Sequence, residues 1–238
     1  MQPVGSNWSH LQEFARRFSL AENAAQPEIR ALFEPSIEFA ACLIDMVGEL
    51  DARWEHINGF DRQNARDNLM RAAQHILEAV IAALAGMYAS ANVIYRLSVE
   101  SVLQSTYSDE EMLDRLGPGR RDTIVQNDWD LGASDYRRVL LQTSSLRHPA
   151  NRLYTIYRSL SKVAHGDLKL FASLDQHLHA LPRYFPKEAH DLQALMREGN
   201  AAAGVLIRKH FRSLFTAANL ERVANFDETV RKLQPGSV

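Results

Sequence analysis

The sequence predicts an all-α protein folded as a single helical bundle. Apolar residues recur at three- and four-residue intervals along most of the chain, and no segment alternates with period two for long enough to make a strand. No Pro-, Gly- or Ser-rich linker, low-complexity block or repeat of solenoid length divides it. With 238 residues and 46% hydrophobic side chains, one sizeable core can be filled. We therefore expect one domain over residues 1–238, with a core over about 60–215 and the helices of 9–56 packed on it.

The elements follow in order. Leu11, Phe14, Ala15 and Phe18 share one face of a first helix over Ser9 to Glu22. Pro27 suits a first helical turn and opens a second helix to about His56, with a kink or break expected at Pro35. Asn58-Gly59 reads as a turn. A third helix then runs from Asp61 to Ala85, carrying Leu69, Ala72, Ala73, Ile76, Val80 and Ala83. A turn or tight crossing near Gly86 leads into a fourth, Met87 to Tyr107.

Ser108 and Glu111 have the spacing of a capping box, so a short helix begins there and Gly117-Pro118-Gly119 ends it. Short helices interrupted near Asn127, Gly132 and Ser134 fill the stretch to Pro149. A helix from near Pro149 ends at Gly166, and a loop occupies Leu181 to Pro186. Long helices follow from Lys187 to Phe215 and from Leu220 to Leu233, before a frayed tail.

Composition removes several function classes. The 27 basic and 29 acidic side chains give a net charge of −2, so no global field draws the protein to nucleic acid or membrane, and an anionic partner must be attracted locally. Cys42 is the lone cysteine, which excludes an internal disulfide and a multi-cysteine zinc site. Its apolar setting suits a small buried hydrophobe. The N-terminal residues lack the basic start and apolar core of a signal peptide. The uncharged stretch from Ala79 to Tyr95 is short for a membrane span and holds Gly86, Ser90 and Asn92. A cytoplasmic protein without membrane contact is expected.

No metal or other cofactor is expected. Helical di-iron sites need Glu-x-x-His on two helices, whereas His10/Glu13 and His75/Glu78 run in the reverse order. His177, His179 and His190 cluster only in sequence. No phosphate-binding loop, dinucleotide fingerprint or serine-hydrolase elbow occurs.

The segment Asn151 to Gly166, NRLYTIYRSLSKVAHG, stands apart. Tyr154, Arg158, Ser161 and His165 form one polar stripe on a helix, beside a mostly apolar stripe of Leu153, Tyr157, Leu160 and Ala164. From Tyr136 to Gly166 there is no Asp or Glu, while Arg137, Arg138, Arg147, Arg152, Arg158 and Lys162 all fall inside that window. Two readings stay open. In one the stripe is a buried polar network, Arg158 pairing with a carboxylate of another helix. In the other, His165 moves a proton and Arg158 stabilises phosphorane charge. RNA needs no metal for such cleavage, because its own 2′-OH is the nucleophile.

The five other basic residues of that window would then concentrate an RNA backbone. Tyr136, Tyr154 and Tyr157 can stack on bases or fill the core. Arg96 and Glu100 form an i, i+4 pair on the fourth helix. Glu100 is the expected counter-ion of Arg158 or orienting partner of His165.

At Arg158, Ser159 and His165 the chain resembles the R-x(4–6)-H signature of the HEPN superfamily, with six residues between Arg and His. The stretch from Gly86 to Tyr107, GMYASANVIYRLSVESVLQSTY, together with YRSLSKVAHG, is also similar to bacterial helical proteins discussed with AbiV-type abortive-infection factors. The resemblance implies a HEPN-like bundle that dimerises so that two motifs share a cleft. It implies a metal-independent ribonuclease of a phage-defence or toxin–antitoxin system, with an antitoxin or defence protein as partner. Arg158 and His165 carry over as catalytic residues, with Ser159 and Ser161 as supporting polar residues; Tyr154, Arg96 and Glu100 are expected to support them from the stripe and the fourth helix. Ser159 stands where active members carry Asn, Asp or His. Some members are inactive, so a non-catalytic sensor or adaptor is the alternative.

Overall fold

A computed structural model describes residues 20–53, 55, 59–126, 131–166 and 186–234, with only the backbone described at 20–22, 125, 126 and 163–166. The expected first helix before Leu20, the loop at 181–185 and the C-terminal tail lie outside these residues. Among them there are eleven helices and no strand, as the periodicity predicts. They are α1 Leu20–Ala25, α2 Pro27–Ala52, α3 Arg62–Leu84, α4 Tyr88–Gln104, α5 Asp109–Arg115 and α6 Pro118–Gln126. After them come α7 Ala133–Leu140, α8 Ser144–Gly166, α9 Pro186–His210, α10 Arg212–Ala217 and α11 Leu220–Leu233. None of these helices is long and apolar enough to cross a membrane.

α2, α3, α4, α8 and α9 form the bundle, and α11 closes it against α2 and α9. The α3–α4 hairpin turns at Gly86, whose φ of 73° lies in the left-handed region that favours glycine. Helix α2 continues through Pro35, because Phe33, Phe39, Leu43, Met46 and Leu50 bury one unbroken stripe. Asp61 caps α3 by accepting from the Asn64 amide at 2.9 Å. The capping box of Ser108 and Glu111 is formed at the start of α5.

The centre of the bundle is polar at one point. The buried Tyr95 hydroxyl of α4 lies 3.0 Å from both the Met196 carbonyl and Asn200 Oδ1 of α9. Asn200 Nδ2 donates in turn to Ser36 Oγ of α2 at 3.2 Å. Burial drives the Tyr95 phenol pKa far up, so it stays a neutral donor. Gly199 admits this ring; a Cβ there would collide with the Tyr95 hydroxyl.

A buried carboxylate ties the C-terminal end of α2 to the start of α11. Glu49 accepts from Arg53 Nε at 2.7 Å, the Asn219 amide at 2.9 Å and Arg222 Nη1 at 2.9 Å. Burial pushes its carboxyl up, but the Arg53 and Asn219 hydrogen bonds and the two guanidinium charges bring it below its ordinary pKa.

Three boundaries differ from expectation. Helix α8 starts at Ser144, more than a turn before Pro149, which removes the N–H that would reach the Ser145 carbonyl. Lys209 Nζ of α9 donates to that carbonyl at 3.1 Å instead. Pro118 opens α6 instead of only ending α5, consistent with its fitness for a first turn. The helix expected from Lys187 to Phe215 ends at His210, and α10 follows as a separate piece.

Candidate functional site

Leu146, Ala150, Leu153, Ile156 and Leu160 bury the inner face of α8, which packs on α4 and α9. The periodicity of these residues turns the other face outward, toward α7. There an open cavity of about 280 Å³ is lined by Arg137 of α7 and by Asn151, Tyr154, Thr155, Arg158, Ser159 and Lys162 of α8. Among the described residues its lining holds three cations and no carboxylate.

Local contacts fix the back of the cavity. Arg137 Nε donates to Asn151 Oδ1 at 2.8 Å, and its guanidinium carbon stands 4.9 Å from the Tyr154 ring centre. The Tyr154 and Tyr157 rings stack, with centres 6.2 Å apart and planes 16° from parallel. Arg96 of α4 lies 5.6 Å over Tyr157, and its buried Nε has no hydrogen-bond acceptor among the described residues. The hydroxyls of Thr155 and Ser159 donate back to the carbonyls of Asn151 and Thr155, at 3.0 and 3.1 Å. Arg158 and Lys162 are exposed and make no ion pair among the described residues. Among the described residues no carboxylate compensates their charges, which suits an anionic ligand.

The exposed stripe is rotated from the one expected. It runs through Asn151, Thr155, Arg158, Ser159 and Lys162, since the apolar face is centred on Leu153, Ile156 and Leu160. Ser161 lies to one side and donates to the Tyr157 carbonyl at 2.9 Å. Position 165 follows in phase after 151, 155, 158 and 162, on backbone that is helical to Gly166. The side chain of His165 lies outside the described residues.

The remaining predicted residues separate into groups. Arg152 turns to Glu198 of α9, with Nε 3.1 Å from Oε1. Arg138 and Arg147 are exposed on the α7–α8 corner, where Arg147 Nε donates to the Leu141 carbonyl at 3.4 Å. Tyr136 is a core residue, only 1% exposed, and donates to Asp109 Oδ1 at 3.1 Å. Burial, with the charge of Asp109 beside it, drives its phenol pKa far up. Glu100 is half-buried on α4, near enough to Tyr136 to reinforce that shift.

Asn151 and Thr155 are the lining residues that sequence reasoning passed over. Their signal was present, since both sit at helical spacing from Arg158. Among the described residues no group of three or more His, Cys, Asp or Glu side chains is arranged to hold a metal ion. The chain matches no family model, no curated protein and no solved structure.

Proposed function

We propose that this protein is a HEPN-like, metal-independent ribonuclease of a bacterial phage-defence or toxin system, with Arg158 and His165 as its catalytic residues. The observation that carries the reading is the cavity on α8, where Arg158 and Lys162 stand exposed beside Arg137, with no carboxylate in the lining and no ion pair to either among the described residues. A phosphodiester placed there meets the fork of a guanidinium and the point charge of an ammonium. Tyr154 lines the same cavity, where its ring edge can meet an adjoining nucleotide.

Arg158 neutralises the phosphate and the charge that grows on it as the ribose 2′-oxygen attacks phosphorus. His165, seven positions on and about 10 Å along the axis, takes the 2′-OH proton or returns one to the departing 5′-oxygen. A second copy of the chain would supply a second Arg–His pair to the same RNA, as in the dimers the resemblance implies. The adaptor reading, with Arg158 sealed in a buried network, is weakened by the exposure of Arg158. Purified protein is expected to cleave RNA in excess EDTA, leaving 2′,3′-cyclic phosphate ends, and His165→Ala is expected to abolish this. Undiminished cleavage by His165→Ala overturns the site.

A further inference from the structure

A second cavity, of about 450 Å³, opens where the first turns of α3 meet the α4–α5 connection. Its chemistry is opposite to that of the groove on α8. Asp61, Asp109 and Glu110 line it against a single cation, Arg71.

Its most telling member is Asn68, which is 7% exposed. The Asn68 Nδ2 donates to the Asn64 carbonyl at 3.1 Å and to Asn64 Oδ1 at 2.9 Å. The Asn64 Nδ2 is itself committed to the Gln104 carbonyl at 2.8 Å. Neither amide can turn over without losing these bonds. The Asn68 Oδ1 is thereby fixed as an acceptor, buried and without a donor among the described residues. A buried acceptor left unmade is costly, and the group that satisfies it must bring an N–H or O–H.

The carboxylates ask for the same kind of group. Among the described residues Asp109 accepts from Tyr136 and Asp61 from the Asn64 amide, so each keeps lone pairs to spare. Glu110 is exposed and has no partner among the described residues. A bare metal ion fits poorly, because these acids do not converge as ligands. An anion would meet three carboxylates and an acceptor amide. We propose that this cavity binds a small organic cation whose N–H donors are spread over several atoms, of the polyamine or guanidine class.

The test is calorimetric titration of the full-length protein with spermidine and with agmatine at fixed ionic strength. The expected result is saturable binding of at least one probe, weakened about tenfold or more by Glu110→Gln, the scale of one charge-assisted hydrogen bond. Asn68→Ala is expected to weaken binding too. If that variant fails to fold, the exposed Glu110 variant still decides the question. Magnesium at matched ionic strength is expected to give no saturable heat. Absence of binding by both probes, equal binding by Glu110→Gln, or equivalent binding of magnesium overturns the proposal. RNA cleavage is not the readout, so failure here leaves the α8 site untouched.

Discussion

Acidification from pH 7 to pH 5 should destabilise this fold chiefly through His210. Its ring sits at the end of α9 among Phe60, Tyr107 and Phe211, with ring centres 6.5, 5.0 and 4.8 Å away. Burial pushes its pKa down to about 4, against a hydrogen bond to the Thr106 backbone that raises it. Arg115, whose guanidinium carbon lies 4.4 Å from the Tyr107 ring centre, lowers it further.

In the unfolded chain the same imidazole titrates near 6.5. Between those values the unfolded state binds a proton that the folded state refuses. Stability is therefore full above pH 6.5 and falls as pH drops toward 4. Linkage gives a loss of about 2 kcal/mol between pH 7 and pH 5, and about 3 kcal/mol by pH 4. Urea unfolding followed by circular dichroism measures it, with His210→Phe as the reference because Phe keeps an aromatic in the cage and cannot protonate. Wild type should lose about 2 kcal/mol more than His210→Phe on going from pH 7 to pH 5. Equal losses in the two proteins would refute the reasoning.

Gly199→Ala should cost on the order of 2 kcal/mol or more, because a Cβ there meets the Tyr95 hydroxyl and forces it off Met196 and Asn200. A melting temperature unchanged from wild type would contradict this. Arg120→Ala should cost about 2 kcal/mol by chemical denaturation, discounted for the partial exposure of Arg120. It removes the two guanidinium hydrogen bonds, at 2.9 and 2.7 Å, from the buried Asp135 carboxylate and leaves it the Gly132 amide at 3.3 Å. The double variant Arg120→Ala/Asp135→Leu should recover part of that loss.

The fold was legible where its causes are local. Asp61, Ser108 with Glu111, Gly86 and the bounds of α11 each follow from a cap, a turn or a periodic stripe within a few residues. Features set by distant partners were not legible. Lys209 supplies the donor that lets α8 begin before Pro149, and it lies far along the chain. Glu198 engages Arg152 from another helix, although the acid-free window made all six basic residues look alike.

The site was legible as a place and not as a phase. Arg158 lines the cavity as expected, but Ile156 faces the core and rotates the exposed stripe toward Asn151, Thr155 and Lys162. Only the packing of α8 on α4 and α9 fixes that rotation. Tyr136 could have been base-stacking or core by sequence; its bond to Asp109 and its burial put it in the core.

The central claim is that Arg158 and Lys162 grip a phosphate backbone, and the salt dependence of RNA binding tests it most directly. Fluorescence anisotropy with a labelled single-stranded RNA, titrated at several salt concentrations, gives the slope of log affinity against log salt. Arg158→Ala/Lys162→Ala should bind more weakly, and its slope should be shallower than wild type by about 1.4, close to 0.7 for each lost contact. Affinity and slope unchanged from wild type would contradict the account.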